Sequence, residues 1–242
     1  MHMISKNELK YIQSLCQKKQ RAAEGVFIAE GPKLAEELLA SDYKIIRGYA
    51  TAEWLAENKT GKGFIEVSEI ELEKMTGLQT GNQVILVCEQ KNQKSIPDLS
   101  EKLSLVLDGI QDPGNLGTII RIADWFGIGQ IIASEDSVDL YNPKVIQSTM
   151  GSFIRVPVYY ANIVDFLTAT KLPVYGAMLE GLSIYEIAKP VTGLLVIGNE
   201  SKGIREPIQP LIKQAITIPR FGGAESLNAA VATGILVSHL KA

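Results

Sequence analysis

Cysteine and histidine are nearly absent from this 242-residue chain, which holds two of each. Cys16 and Cys88 stand alone, in no CxxC or metal-ligand spacing, so they supply neither a disulfide framework nor a zinc site. They read as isolated thiols in a reducing compartment. No segment reaches the roughly 18 uninterrupted apolar residues of a membrane span. The charged stretch that follows Met1-His2-Met3 is not an apolar signal core. A cytoplasmic protein with no metal and no membrane attachment is expected. Basic excess is missing too, since 24 Lys+Arg face 27 Asp+Glu for a net charge of −3. Bulk charge therefore argues against a nucleic-acid partner, and any such site has to be a local patch.

What is present is ordinary for a globular protein: 46% hydrophobic and 21% charged residues. At about 150 residues per domain the length suggests one or two domains. Residues 1 to about 24 read as one polar helix, with Leu9, Ile12 and Leu15 at helical spacing. Within it, five basic residues (Lys6, Lys10, Lys18, Lys19, Arg21) against Glu8 and Glu24 leave 5 − 2 = +3. A short strand at 25–29 leads to Gly31-Pro32, which opens a helix with Leu34, Leu38 and Leu39 on one face. Strands at Ile45–Ala50, Phe64–Val67 and Val84–Glu89, and helices near Glu53 and over Glu69–Met75, complete a small α/β domain at 1–95.

Polar, Pro97-containing sequence at Gln90–Glu101 marks a linker, placed at 96–102. Beyond it strands and helices alternate steadily. The continuous apolar run Leu103–Leu107 reads as a strand covered on both faces, and a helix follows at Leu116–Phe126. Further strands are expected at Gln130–Ala133, Phe153–Tyr159, Val174–Met178, Leu194–Ile197 and Ala215–Ile218. Helices are expected at Pro143–Met150, Ile163–Ala169 and Leu227–Leu240. That alternation is the mark of a mostly parallel α/β sheet over 103–242.

Three segments carry chemistry. Leu107-Asp108-Gly109-Ile110-Gln111-Asp112-Pro113-Gly114-Asn115-Leu116-Gly117 joins a buried strand to a helix that also bears Arg121. It is neither a Walker loop nor a dinucleotide fingerprint. Asn115 suits a helix N-cap as well as a ligand, and Arg121 could pair with Asp124 on the helix surface. In the second segment, Ile197-Gly198-Asn199-Glu200-Ser201-Lys202-Gly203, Glu200 either caps a following helix or faces the same cleft as Arg121. In the third, Ile218-Pro219-Arg220-Phe221-Gly222-Gly223-Ala224-Glu225-Ser226-Leu227-Asn228, Ser226 is an N-cap or a site residue. The helix after it is apolar nearly all round, which suggests a subunit interface. Arg, Glu, Ser and Asn with no His, Cys or paired Asp argue against a hydrolase triad.

In this order these segments resemble the three signature motifs of the SpoU (TrmH) family of RNA ribose 2′-O-methyltransferases, in the SPOUT superfamily. The likeness covers about 103–240, and the first part resembles the accessory substrate-binding domain of several members. It implies an α/β domain with a deep trefoil knot, S-adenosylmethionine as cofactor, and a homodimer. By the same likeness, Asn115, Arg121, Glu200, Ser226 and Asn228 are the catalytic set. Met178, Leu179, Glu180, Gly181, Ile197, Gly198, Asn199, Gly203, Ile218, Pro219 and Leu227 would hold the cofactor. Arg220 stands where the family often has methionine. RNA, ribosomal before transfer, is the implied substrate, with Lys18, Lys19 and Arg21 as phosphate contacts. The rival readings are an RNA-binding protein that keeps the fold without catalysis, and a nucleotide-dependent oxidoreductase.

Overall fold

The computed structural model describes residues 4–58, 63–76, 82–91, 95–99, 102–188 and 192–241. Met1–Met3 and part of the expected linker lie outside them. Two compact units divide the chain: residues 1–92 together with 139–154, and residues 93–138 together with 155–242. The first unit runs α1 (Lys6–Ser14), α2 (Lys18–Glu24), β1 (Val26–Glu30), α3 (Pro32–Leu39), β2 (Ile45–Ala50), α4 (Ala52–Glu57), β3 (Phe64–Glu66), α5 (Glu69–Met75) and β4 (Val84–Glu89). The second opens with β5 (Leu103–Asp108), α6 (Pro113–Trp125) and β6 (Ile131–Ser134). Asp139–Ile154, with α7 (Pro143–Thr149), then packs with the first unit. The chain returns as β7 (Val158–Ala161), α8 (Ile163–Ala169), β8 (Val174–Ser183), β9 (Gly193–Gly198), β10 (Gln214–Thr217) and α9 (Ala229–Lys241).

In the first unit the strand order is β1-β4-β2-β3, antiparallel except for β2 beside β3. Ile12, Leu15, Ile28, Tyr49, Leu72, Met75 and Ile85 form the core of this unit. The single N-terminal helix expected from sequence is broken into α1 and α2. A continuous helix would use the carbonyls of Leu15 and Cys16 for backbone bonds. Instead the Arg21 guanidinium donates to both, at 3.0 and 2.8 Å. Arg21 is 1% exposed and pairs with Asp139 at 2.6 Å. Its expected role as a phosphate contact is therefore overturned: a buried, paired cation does not meet RNA. Lys18 and Lys19 are exposed.

Asp139 belongs to the mid-chain segment, and more of that segment completes the unit. The Phe27 ring lies 4.7 Å from that of Tyr141 and 5.8 Å from that of Phe153, centroid to centroid. The Tyr141 hydroxyl accepts from the Lys91 N–H at 2.9 Å, which fastens the chain just past β4. Where the sequence suggested a strand at Phe153–Tyr159, Ser152–Ile154 is a 3₁₀ turn and the strand starts at Val158.

In the second unit six parallel strands run in the order β10-β8-β9-β5-β6-β7. β5 is buried along its whole length, Ser104 and Asp108 included, as expected for a largely apolar strand covered on both faces. From β5 the chain builds outward through β6 and β7, then crosses to β8, β9 and β10 on the other side. The order in which strands are added therefore reverses between β5 and β9, which run parallel, and the crevice at the carboxyl ends of such strands is where open α/β sheets bind ligands. α6 packs against α9. The closing helix starts at Ala229, not Leu227, and one face stays open: Leu227, Val231 and Ile235 are 46%, 51% and 36% exposed. No described helix is long and apolar enough to cross a membrane.

Asp139→Ala strands the buried Arg21 cation. It should lower the stability of the first unit by about 3–5 kcal/mol in denaturant titrations. Alanine at exposed Lys18 or Lys19 should change it by less than about 0.5 kcal/mol.

Candidate functional site

The site is built at the β5/β9 reversal, where Asp108 and Gly198 are register partners at the ends of adjacent strands. Beyond β5, Gly109 takes φ +72° and the chain turns into α6. Asp112 caps that helix, its carboxylate accepting from the Asn115 N–H at 2.8 Å, and Pro113 opens the first turn. Asn115 is thus not the cap. It lies in the first turn of α6, is 9% exposed, and its side chain is free to serve elsewhere.

That side chain joins all three segments. Asn115 Nδ2 donates to Glu200 Oε1 at 2.5 Å, and Asn115 Oδ1 accepts from Asn228 Nδ2 at 2.8 Å. Asn228 Oδ1 accepts in turn from the N–H groups of Ala230 and Val231, so Asn228 caps α9. Ser226 is exposed and makes no hydrogen bond among the described residues, so the capping role considered for it belongs to Asn228. No helix starts at Glu200, the next helical turn being Gln209–Leu211, which removes the capping alternative there as well.

Glu200 is held in a tight turn. Asn199 and Gly203 exchange backbone hydrogen bonds at 3.0 and 2.9 Å, and Gly203 sits at φ +66°. A Cβ on Gly198 would lie 2.2 Å from the Gly203 carbonyl carbon, so only glycine lets the two strands of backbone cross. Asn199 Oδ1 accepts from the N–H groups of Ser201 and Lys202, and its Nδ2 donates to the Gly109 carbonyl at 2.7 Å. Its side chain therefore ties the second segment to the first.

Sequence reasoning missed one clamp. Asp108, fully buried, accepts from the Arg205 backbone N–H at 2.8 Å and from Arg205 Nε at 2.5 Å. Arg205 reaches Asp136 as well, at 3.2 Å. The bond to Asp108 raises the Arg205 pKa, while the Ser134 hydroxyl and then Arg205 hold the Asp136 carboxyl below the usual range. The available signal was a carboxylate at the end of an apolar strand, which has to find a cation once buried.

The wall expected at Met178–Gly181 is a bulge inside β8 rather than a loop after it. Gly176 pairs with Ala215, yet the next residue of β10, Ile216, pairs with Leu182, so residues 177–181 arch out of register. The Thr217 hydroxyl donates to the Leu179 carbonyl at 3.0 Å and holds the arch. Met178 is half-buried, whereas Leu179, Glu180 and Gly181 are exposed. Ile218 and Pro219 follow β10 and are half-buried. Leu227 is exposed, and Ile197 is buried in β9, so only its backbone is available to a ligand. Arg121 lies on the open face of α6 and makes no ion pair or hydrogen bond among the described residues. Its possible partner Asp124 instead takes Arg155, at 3.0 Å to Nε and 2.8 Å to Nη2. Lys18 and Lys19 belong to the first unit.

A parallel α/β unit with its polar groups gathered at a strand-order reversal, preceded by a small mixed-sheet unit, matches known methyltransferases. The SpoU rRNA Methylase family matches residues 102–238, and the MRM3-like substrate binding domain matches residues 6–86. A 23S rRNA guanosine 2′-O-methyltransferase of Bacillus subtilis is 34% identical, over 93% of this chain and 92% of its own length. A solved TrmH-family protein from Porphyromonas gingivalis is 37% identical, with a TM-score of 0.89 over 99% of both chains. An rRNA methyltransferase from Sinorhizobium meliloti, solved with AdoMet bound, is 30% identical with a TM-score of 0.88, over 99% of this chain and 96% of its own. The chain belongs to the SpoU rRNA methylase family.

Asn115→Ala leaves Glu200 and Asn228 without their shared partner and should cost about 1–3 kcal/mol. Asn115→Asp should cost more at about pH 7.5, because it sets a second carboxylate against Glu200, and should regain part of the loss near pH 5 as one carboxylate takes up a proton. Urea titrations at the two pH values check both the order and the sign.

Proposed function

We propose that this protein transfers the methyl group of S-adenosylmethionine to a ribose 2′-hydroxyl of ribosomal RNA. The observation that carries the reading is the chain of hydrogen bonds from the N-terminus of α9 through Asn228 and Asn115 to Glu200, with Arg121 unpartnered on the same helix as Asn115. Family membership and the 2′-O-methyltransferase activity of the Bacillus subtilis relative support it. So does the AdoMet-bound structure from Sinorhizobium meliloti.

The residues present suit this cofactor. Leu179 and Leu182 leave apolar surface open on β8 beside β10, at 75% and 40% exposure, and Leu227 does so just before α9, at 46%. Backbone groups at Gly198, Ile218 and Leu227 would meet the polar edges of a nucleoside, as in pockets that are mainly apolar with a few placed polar groups. S-Adenosylmethionine supplies a sulfonium-bound methyl group that a hydroxyl oxygen can attack.

The rest is the work of the chain. A ribose hydroxyl is a weak nucleophile and needs in-line placement. Arg121 stays protonated in any protein environment, so its part is to grip a phosphate and the developing alkoxide, while the hydroxyl proton passes to solvent as the oxygen–methyl bond forms. Glu200, Asn115 and Asn228 fix one wall of the cleft, and Ser226 stands in the loop leading to Asn228. The first unit presents RNA, with Lys18 and Lys19 among its phosphate contacts. The open stripe Leu227, Val231 and Ile235 joins two copies about a two-fold axis, the default symmetry for a homo-oligomer. Such a protein works in the cytoplasm.

Calorimetry with S-adenosylhomocysteine should return about one site per chain, and Arg121→Ala should keep that affinity while losing methyl transfer to ribosomal RNA at least about a hundredfold. Activity within a few-fold of wild type would remove Arg121 from the reaction. Light scattering should give twice the chain mass of 26.4 kDa, and the chain mass itself at micromolar concentration would refute the dimer.

A further inference from the structure

Phe221 is 95% exposed, more than any other large hydrophobic side chain described, and it sits in the loop between β10 and α9. The geometry of that loop is specific. Arg220 Nη1 donates to the Ala224 carbonyl at 3.2 Å, which closes residues 220–224 into a small ring with Phe221 at its tip. Gly222 and Gly223 have no other atoms within 4 Å of where a Cβ would stand, so nothing in the described chain packs on the tip. At one end the loop continues from Thr217 and Ile218, beside the Leu179 arch. At the other it runs into Asn228 and the hydrogen bonds to Asn115. An uncovered ring, one residue after Arg220, thus lies on the loop that joins the strand held to the Leu179 arch to Asn228.

We infer that Phe221 is the platform on which an unstacked base of the substrate RNA lies, fixing the nucleotide that offers its ribose. This rests on the methyltransferase reading above. Single-stranded RNA is recognised by splaying bases onto aromatic faces and arginine planes, and every base has such a face. A second copy of the chain is the weaker occupant. The open apolar stripe that fits a two-fold partner runs from Leu227 just before α9 to Val231 and Ile235 on it, whereas Phe221 is on a loop closed upon itself. The glycine pair leaves the tip room to settle onto a base.

The test is methyl transfer from tritiated S-adenosylmethionine to ribosomal RNA extracted from a deletion strain, using the full-length protein. Phe221→Ala should raise KM for RNA about ten- to a hundredfold with kcat little changed. Phe221→Leu, which keeps apolar bulk without a ring face, should lose nearly as much, and Phe221→Tyr should stay within about twofold. Affinity for S-adenosylhomocysteine should not move. Phe221→Trp in a Trp125→Phe background gives an indole that iodide should quench freely until RNA is added; the remaining Trp54 is 2% exposed. A Leu variant as good as wild type would overturn the proposal. So would a parallel loss of S-adenosylhomocysteine affinity, or an indole already shielded without RNA, which would mean that a second copy covers it. Wild-type protein inactive on this RNA would instead remove the reading on which the proposal rests, and the proposal with it.

Discussion

One side-chain amide holds the site together. Asn115 has to donate to a carboxylate and accept from another amide at the same time, and asparagine is the shortest side chain that does both through two separate atoms. The bonds all point one way, from the free N–H groups at the start of α9 through Asn228 and Asn115 to Glu200. Such a series polarises each member, and it places a carboxylate at the end of a relay that begins at the positive end of a helix. Every other local feature serves to bring those three groups together. The strand-order reversal puts β5 beside β9. Gly198 lets the backbone cross behind Glu200, and the buried Asp108–Arg205 pair pins the far side of the turn.

The same physics explains why basic residues near each other take opposite roles. Lys18 and Lys19 point into water, where flexible ammonium groups cost little. Two residues on, Arg21 is buried, because its planar fork can satisfy two helix-end carbonyls and a carboxylate together. Its carboxylate comes from Asp139, more than a hundred residues away, so the N-terminal unit is completed by a segment from the middle of the chain. The local +3 charge of the first 24 residues therefore overstates what a phosphate would meet.

Strands such as β4 and β5 were legible because runs so rich in apolar residues have few other uses, and α3 and α7 because proline follows a capping position. The meeting of the three segments, which Asn115, Glu200 and Asn228 make by hydrogen bonds, could be read from the order of the motifs. What could not be read was any choice settled by a distant partner. Asn115 is as good an N-cap as Asp112 within its own segment, and only Glu200 and Asn228 show where its amide is needed. The break between α1 and α2 depends on where the Arg21 side chain turns. The arch at 177–181 looks like a strand followed by a loop until β10 sets the register beside it.

The most direct test maps ribose methylation across all ribosomal RNA of a strain lacking this gene, with the strain complemented by wild-type or Arg121→Ala protein. The account predicts one 2′-O-methyl group that disappears on deletion, returns with the wild-type protein and does not return with the variant. An unchanged ribosomal RNA map in the deletion strain would contradict it.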